Sequence, residues 1–352
     1  MGSAKRKLFV FIAVLGLLAT ALLPAGAGAD GSDFASPLFG LATERNGEIF
    51  VADAGQGIVN LHGEVVAELP GVTAVSTQRG RSLWATVGAG ESGEANTGQA
   101  LYRVANGRSR LIVDLFEFEA EYNPDGGPID SNPYDVETIN KKTALVVDAG
   151  GNTLLEVKKK GNVDVVAVFP TELVSTLNLQ LQLGCPTPSI PDLAFICETD
   201  MMPAESVPTT VAIGPDGYYY VGELKGFPGP DGESNIWRID PDAENVMCGS
   251  SPQCTKVFDG GFTSIVDMVF GPDGRLYVVE LDVGGWPAVE IFQEPFGGRI
   301  VACDLDVLEC PEIADEIPLV TAITFDRDGD LWATRNALIP GLAEVFEVPG
   351  GP

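Results

Sequence analysis

The chain has 352 residues, with 50 Asp and Glu against 21 Lys and Arg, a single His, and a formal charge of −29. Such an excess of carboxylates repels nucleic acid, whose phosphates need Lys and Arg partners, and anionic lipid surfaces. At 45% apolar residues the chain has enough to build a packed core, which excludes a disordered tail.

At the N-terminus, Lys5, Arg6 and Lys7 precede an apolar run over residues 8–23. A small-residue stretch, PAGAGAD, follows, with an Ala-x-Ala step ending at Ala29. This is the layout of a secretory signal peptide over residues 1–29. The run of 16 residues is short for a membrane span of about 20, and no Cys follows it, so cleavage is expected rather than a membrane or lipid anchor. The mature domain then covers residues 30–352. It loses three basic residues and no acidic one, which takes the formal charge from −29 to −32. Such a surplus keeps an exported protein soluble and can gather cations.

From residue 41 onward one pattern repeats six times. The copies are LATERNGEIFVAD (41–53), VSTQRGRSLWATV (75–87), VETINKKTALVVD (136–148), VAIGPDGYYYVGE (211–223), MVFGPDGRLYVVE (268–280) and ITFDRDGDLWATR (323–335). Each has alternating apolar residues, a short turn and a second apolar run, which spells a β-hairpin. All six have 13 residues. Further strand candidates lie between them, including GIVNLHG, SRLIVDL, TLLEVKKKG, NIWRID and GRIVACD. Each unit therefore supplies about four antiparallel strands, and six such units predict a six-bladed β-propeller. The last unit runs out after AEVFEVP. The segment 32–39 is expected to pair with 344–349 and close the ring as an N-terminal strand, which would leave no exposed edge.

The six cysteines fall as neighbours: Cys185 with Cys197, Cys248 with Cys254, and Cys303 with Cys310. Six cysteines allow fifteen pairings. Each neighbouring pair sits in a segment between hairpins, so three local disulfides are expected, as suits an exported protein. The segment TELVSTLNLQLQLG (171–184) reads as a short helix capping a blade. The shared aromatic position, Phe50, Trp84, Tyr220, Tyr277 and Trp332, reads as packing between blades. Trp286 breaks that regularity and is a candidate for a loop that contacts a ligand. His62 reads as a lone surface residue, and no Ser-His-Asp triad has another candidate base. DAGGN (148–152) and ADAGQG (52–57) read as turns between strands, since no Lys or helix follows with phosphate-loop spacing.

Two repeat positions carry chemistry. The residue before each copy is Gly40, Ala74, Asp135, Thr210, Asp267 or Ala322. It begins the innermost strand near one mouth of the channel. Asp135 and Asp267, with Asn132 just upstream, offer hard oxygens that suit Ca²⁺. The residue that closes each copy is Asp53, Val87, Asp148, Glu223, Glu280 or Arg335. Four of these are acidic. A carboxylate at a strand end accepts hydrogen bonds from the next loop, or Asp148, Glu223 and Glu280 join a ring that attracts a cation.

The mature chain resembles the ScyD/ScyE family of secreted bacterial β-propellers. The resemblance rests on FEAEYNPDGGPIDSNPYDV (118–136), VDAGGNTLLEV (147–157), VPTTVAIGPDGYYYVGELKGFP (207–228) and GFTSIVDMVFGPDGRLYVVE (261–280). It covers the middle and C-terminal blades, and the first two blades match less distinctly. It implies a secreted propeller without a defined activity, and it extends loosely to ligand-binding NHL-type and metal-dependent gluconolactonase-like propellers. Two function classes follow. One is a non-catalytic propeller, expected to be a monomer, that binds a protein, glycan or small-molecule ligand at one face. The other is a Ca²⁺-dependent lactonase or esterase, in which the metal polarises a carbonyl and a carboxylate manages the proton.

Overall fold

The computed structural model describes residues 33–77, 82–90 and 96–351. The expected signal peptide and the second hairpin's turn at 78–81 lie outside the described residues. Each repeat hairpin forms the first two strands of a blade, and six blades surround one axis. Blade one is β1 (Leu38–Thr43), β2 (Ile49–Asp53), β3 (Gly57–Asn60) and β4 (Val65–Glu68). Blade two is β5 (Val72–Ser76), β6 (Ser82–Val87), β7 (Ala100–Ala105) and β8 (Arg108–Asp114), followed by helix α1 (Leu115–Tyr122). Blade three is β9 (Pro133–Asn140), β10 (Thr143–Asp148), β11 (Thr153–Lys158) and β12 (Val163–Val168). An insertion then carries β13 (Glu172–Ser175), α2 (Leu177–Leu183), a 3₁₀ turn (Pro191–Glu198) and β14 (Met201–Ala204).

Blade four is β15 (Pro208–Ile213), β16 (Tyr219–Glu223), β17 (Ser234–Ile239) and β19 (Cys254–Phe262). Its short strand β18 (Val246–Met247) leaves that sheet and pairs in parallel with β12 of blade three. Blade five is β20 (Ile265–Phe270), β21 (Leu276–Glu280), β22 (Gly298–Cys303) and β23 (Glu312–Ile317), with α3 (Trp286–Glu290) between β21 and β22. Blade six has three described strands, β24 (Ile323–Phe325), β25 (Leu331–Arg335) and β26 (Glu344–Glu347).

The first strands β1, β5, β9, β15, β20 and β24 touch one another in cyclic order, so the ring is closed. The second strands are buried on both faces: β2, β16 and β21 have no exposed position. That is why they read as continuous apolar runs instead of alternating ones. The shared aromatics pack between blades as expected. Tyr220 meets Phe270 of blade five edge-on at 5.1 Å, and Tyr277 meets Phe325 of blade six at 4.9 Å.

The closure differs from the expected one. Residues 33–39 do not pair with β26, and Leu38 begins the innermost strand of blade one. That strand nevertheless meets blade six. The Leu38 amide and the Ser36 hydroxyl both donate to the Ala337 carbonyl, at 2.9 and 2.8 Å. Phe34, Leu38, Ala322, Ala337 and Ala343 share one apolar cluster across this seam.

The antiparallel order puts the loops between second and third strands on one face, together with every connection between blades. This loop face holds the insertions 88–99, 115–132, 169–207, 224–233, 281–297 and 336–343, while the β17–β19 connection, 240–253, lies on the opposite face. The three expected disulfides are present. Cys185–Cys197 clips the 169–207 insertion on the loop face. The other two clip turns on the opposite face. The segment expected as one helix is split: residues 172–175 pair with β14, and only residues 177–183 are helical. Gly184, with φ 75°, ends that helix in the left-handed region.

Candidate functional site

The axial rim is built by a backbone irregularity that repeats. In five blades the inner hairpin slips by one residue at the same place. The unpaired residue is Phe39, Thr73, Tyr134, Thr209 or Val266. Such a bulge bends the strand and re-aims the side chains beside it. Here it delivers them to the junctions between blades.

Blades two, four and six carry Thr at this position. Thr73 donates to the Pro133 carbonyl (2.7 Å), Thr209 to Ile265 (2.6 Å) and Thr321 to Leu38 (2.6 Å), in each case on the next blade. Blades three and five carry an Asp one residue later. Asp135 Oδ2 accepts from the Val211 amide of blade four (2.8 Å), and Asp267 Oδ2 accepts from the Ile323 amide of blade six (2.7 Å). Their other oxygens accept from their own successors, Val136 and Met268. Blade one has Gly40 instead. A Cβ there would sit 3.1 Å from both the Ala74 Cα and the Thr73 carbonyl, so this junction closes by bare backbone approach. Five of six junctions are thus clamped by a Thr or an Asp. The signal was in the sequence as a Thr two residues before every even copy.

Asp135 and Asp267 meet across the Thr210 side chain. The Thr210 hydroxyl lies 3.4 Å from Asp267 Oδ1 and also bonds Asp135. Burial pushes both carboxyls up, and the Asp135 charge pushes Asp267 further. Glu137, two residues along the same strand, is raised to about 7 by burial and by Asp135. Tyr134 and Glu290 add the Tyr134 hydroxyl and Glu290 Oε1, both buried without a hydrogen-bond partner.

The loop-face end of this channel is not an open mouth. One apolar cluster joins Phe39, Tyr134, Leu224, Val266, Trp286 and Leu338, from five of the six blades and their loops. Trp286 therefore lies on an insertion over one face, as expected, but it is 1% exposed and donates its indole N–H to the Lys225 carbonyl (3.0 Å). It is part of the plug.

The other sequence candidates are dispersed. Asn132 is buried beside Asp148, and its amide donates to Asp148 Oδ1 (2.6 Å) while its own Oδ1 accepts from the Ala89 amide (2.8 Å). Asp148 also accepts from the Ser131 hydroxyl (2.6 Å) and the Gly151 amide (3.1 Å). Asp53 accepts from the amides of Ala35 and Gly55. Glu223 is fully buried and accepts from Ser206 (2.5 Å), Lys225 (2.7 Å), the Asn235 amide (3.0 Å) and Trp237 (3.2 Å). Glu280 accepts from the Thr263 amide and from Arg299. The closing carboxylates thus tie the segment that enters each blade to the turn or strand that follows them. Among the described residues, no group of three or more His, Cys, Asp or Glu side chains has metal-holding geometry. His62 is exposed in the turn after β3.

No protein-family model matches the chain, and no curated protein is similar to it at a significant level. Solved structures do match. A gluconolactonase from Xanthomonas campestris is 13% identical with a TM-score of 0.54, over 90% of this chain and 88% of that one. The calcium-binding protein regucalcin from Agrobacterium tumefaciens is 14% identical with a TM-score of 0.51, over 87% and 85%. Virginiamycin B lyase from Staphylococcus aureus is 16% identical with a TM-score of 0.49, over 91% and 87%. The gluconolactonase and regucalcin likenesses establish a shared propeller fold, and identities this low say nothing about activity.

Proposed function

We propose that this protein is an exported, monomeric propeller that binds a partner protein through its loop face without catalysis. The observation that carries this reading is where apolar side chains reach solvent. Ten of the fifteen exposed large hydrophobics among the described residues lie on loop-face insertions. Five of them belong to the 169–207 insertion alone: Leu173, Leu177, Phe195 and Met201, at 68, 57, 39 and 51% exposure, and Leu181 at 72%. Leu177 and Leu181 are four apart on α2, so they share one helix face. Asp192, Glu198 and Asp200 of the same insertion are also exposed and add negative charge to it. An apolar patch with a polar rim is the usual form of a protein-binding site. The three disulfides and the apparent signal peptide support export, and the quoted segments support kinship with the ScyD/ScyE propellers.

A photo-crosslinker placed at Leu177 should capture a protein from the native extracytoplasmic fraction, while one at Leu308 on the opposite face should not. Equal capture at both positions, or at neither, overturns the proposal.

A second reading, a Ca²⁺-dependent hydrolase, draws on the half-buried Asp135–Asp267 pair and on the gluconolactonase and regucalcin likenesses. The residues present do not fit a Ca²⁺ at that mouth, because both oxygens of each Asp and the Asn132 Oδ1 already accept backbone amides. Lactone or ester turnover lost in Asp267→Asn would restore this reading.

A further inference from the structure

Lys225 follows β16 in the loop-face segment 224–233 and is 1% exposed, the only Lys or Arg so buried among the described residues. Its backbone takes the left-handed region, with φ 68°, which a residue with a long side chain adopts only under constraint. Both of its backbone polar groups are pinned there. The Lys225 amide donates to the Ser206 carbonyl (3.1 Å), and its carbonyl accepts the Trp286 indole.

The Lys225 ammonium meets two carboxylates. Nζ donates to Glu223 Oε1 (2.7 Å) and to Glu172 Oε2 (2.6 Å). Asn235, at the start of β17, donates Nδ2 to the same two oxygens, to Glu172 Oε2 at 2.9 Å and to Glu223 Oε1. The amine and carboxamide nitrogens therefore face each other across one shared pair of oxygens. The Asn235 carboxamide carbon is one bond further on. Its Oδ1 accepts the Gly260 amide (2.8 Å). Glu223 is itself fixed, because its other oxygen accepts Ser206 and the Trp237 indole. Lys225, Asn235 and Glu223 are all buried.

An amine, a carboxamide and a carboxylate shut away from water are the components of an amide exchange. Burial disfavours both charges of a Lys–Glu pair. Transfer of a proton from Nζ to Glu223 leaves a neutral amine beside a neutral acid. The Nζ lone pair then attacks Asn235 Cγ, and negative charge moves to Oδ1, where the Gly260 amide holds it. Glu172 Oε2 touches both nitrogens and passes the second Nζ proton to Nδ2. The Cγ–Nδ2 bond breaks, and ammonia leaves with the Glu223 proton as ammonium. One alkylammonium and one primary amide become one secondary amide and one ammonium ion, with no oxidation or reduction. Fixed contact between the reacting groups supplies effective concentrations on the order of 10⁵–10⁸ M, far above any in free solution.

We infer that Lys225 and Asn235 join in an intramolecular isopeptide bond, with Glu223 as the base that takes up and returns the proton. The bond would staple the end of β16 to the start of β17 across the 224–233 loop. It forms only once the 169–207 insertion has brought Glu172 into place. This single self-modification involves no external substrate and is independent of the partner-binding reading.

The test is mass spectrometry of the purified mature protein, reduced and denatured. Wild type should be lighter than its sequence requires by about 17 Da, the mass of the one ammonia lost in the acyl transfer. After digestion with a glutamate-specific protease, fragments 224–233 and 234–244 should stay joined although the chain is cut after Glu233. Lys225→Met and Glu223→Gln should each have the full sequence mass and release the two fragments separately. The wild-type result stands without either variant having to fold. Wild type at full mass overturns the inference. So does a mass loss that maps to other residues, or a linkage that persists in Glu223→Gln.

Discussion

At the scale of single residues, Asp135 and Asp267 each spend one carboxylate oxygen on their own strand and the other on an amide of the next blade. Asp135 and Asp267 stood out because two carboxylates interrupt a position otherwise held by Gly, Ala and Thr. Their partners, Val211 and Ile323, lie 76 and 56 residues away. No local pattern reveals that an Asp oxygen ends on an amide of the neighbouring blade. Lys225 was hidden for a different reason, since a Lys in GELKGFP reads as a solvated loop residue until the fold buries it. Glu290 tests how such burial acts on stability. Burial alone raises its carboxyl to about 8, against about 4.3 in an unfolded chain. Between those values the folded protein holds a proton that the unfolded chain has released. This group's destabilising effect is therefore absent below pH 4.3, grows as pH rises towards 8, and is complete above it. Glu290→Gln should match wild type near pH 4.5 and exceed it at pH 8.5 by about 2–4 kcal/mol in urea unfolding. Equal gains at both pH values would show that Glu290 is not a buried acid.

At the scale of elements, the hairpins were legible and their surroundings were not. Six equal-length copies marked the inner strands, because a second strand pressed between two neighbours is mainly apolar up to its closing residue. The bulge beside them has no residue signature of its own, since Phe, Thr, Tyr and Val all occupy it. The split of residues 171–184 into strand and helix was equally hidden, because β13 forms only by pairing with β14, some 30 residues on. The insertion is anchored at its base, where Glu172 accepts from Lys225, Asn235 and Lys256 of blade four. Its outer part packs around Leu179, Leu183 and Ile196, and there Asn178 and Gln182 reach the loop carbonyls of Gly229 and Gly284 beneath. Removing the Cys185–Cys197 bridge with paired Ser substitutions should therefore loosen this outer part and spare the ring. Limited proteolysis should cut within residues 176–199 at least tenfold faster, with the main melting transition shifted by under about 3 °C. A large fall in the main transition would mean that the insertion is integral to the propeller.

At the scale of the whole molecule, counting strands gave the blade number and gave the wrong closure. The expected fourth strand of blade six is not supplied by residues 33–39, because Leu38 is needed on the inside of blade one. The seam instead closes through the inner rim and an apolar cluster. Blade six is thus left with β26 as its last described strand, and no described strand pairs with its outer side. Strands left open in this way are templates for self-association. The sequence of β26 is EVFE, with Glu344 and Glu347 exposed at its two ends. Glu344, paired with Arg335 (2.5 Å), and Glu347 put charge that resists burial along the line where backbone pairing between copies would begin. Neutralising both, as Glu344→Gln with Glu347→Gln, should leave melting within about 1 kcal/mol of wild type, since exposed charges contribute little. Light scattering on concentrated samples should nonetheless rise over hours, with thioflavin-positive material absent from wild type. The two glutamates of β26 would then act as gatekeepers against fibril growth, a task set by the outer side of β26, which no described strand covers.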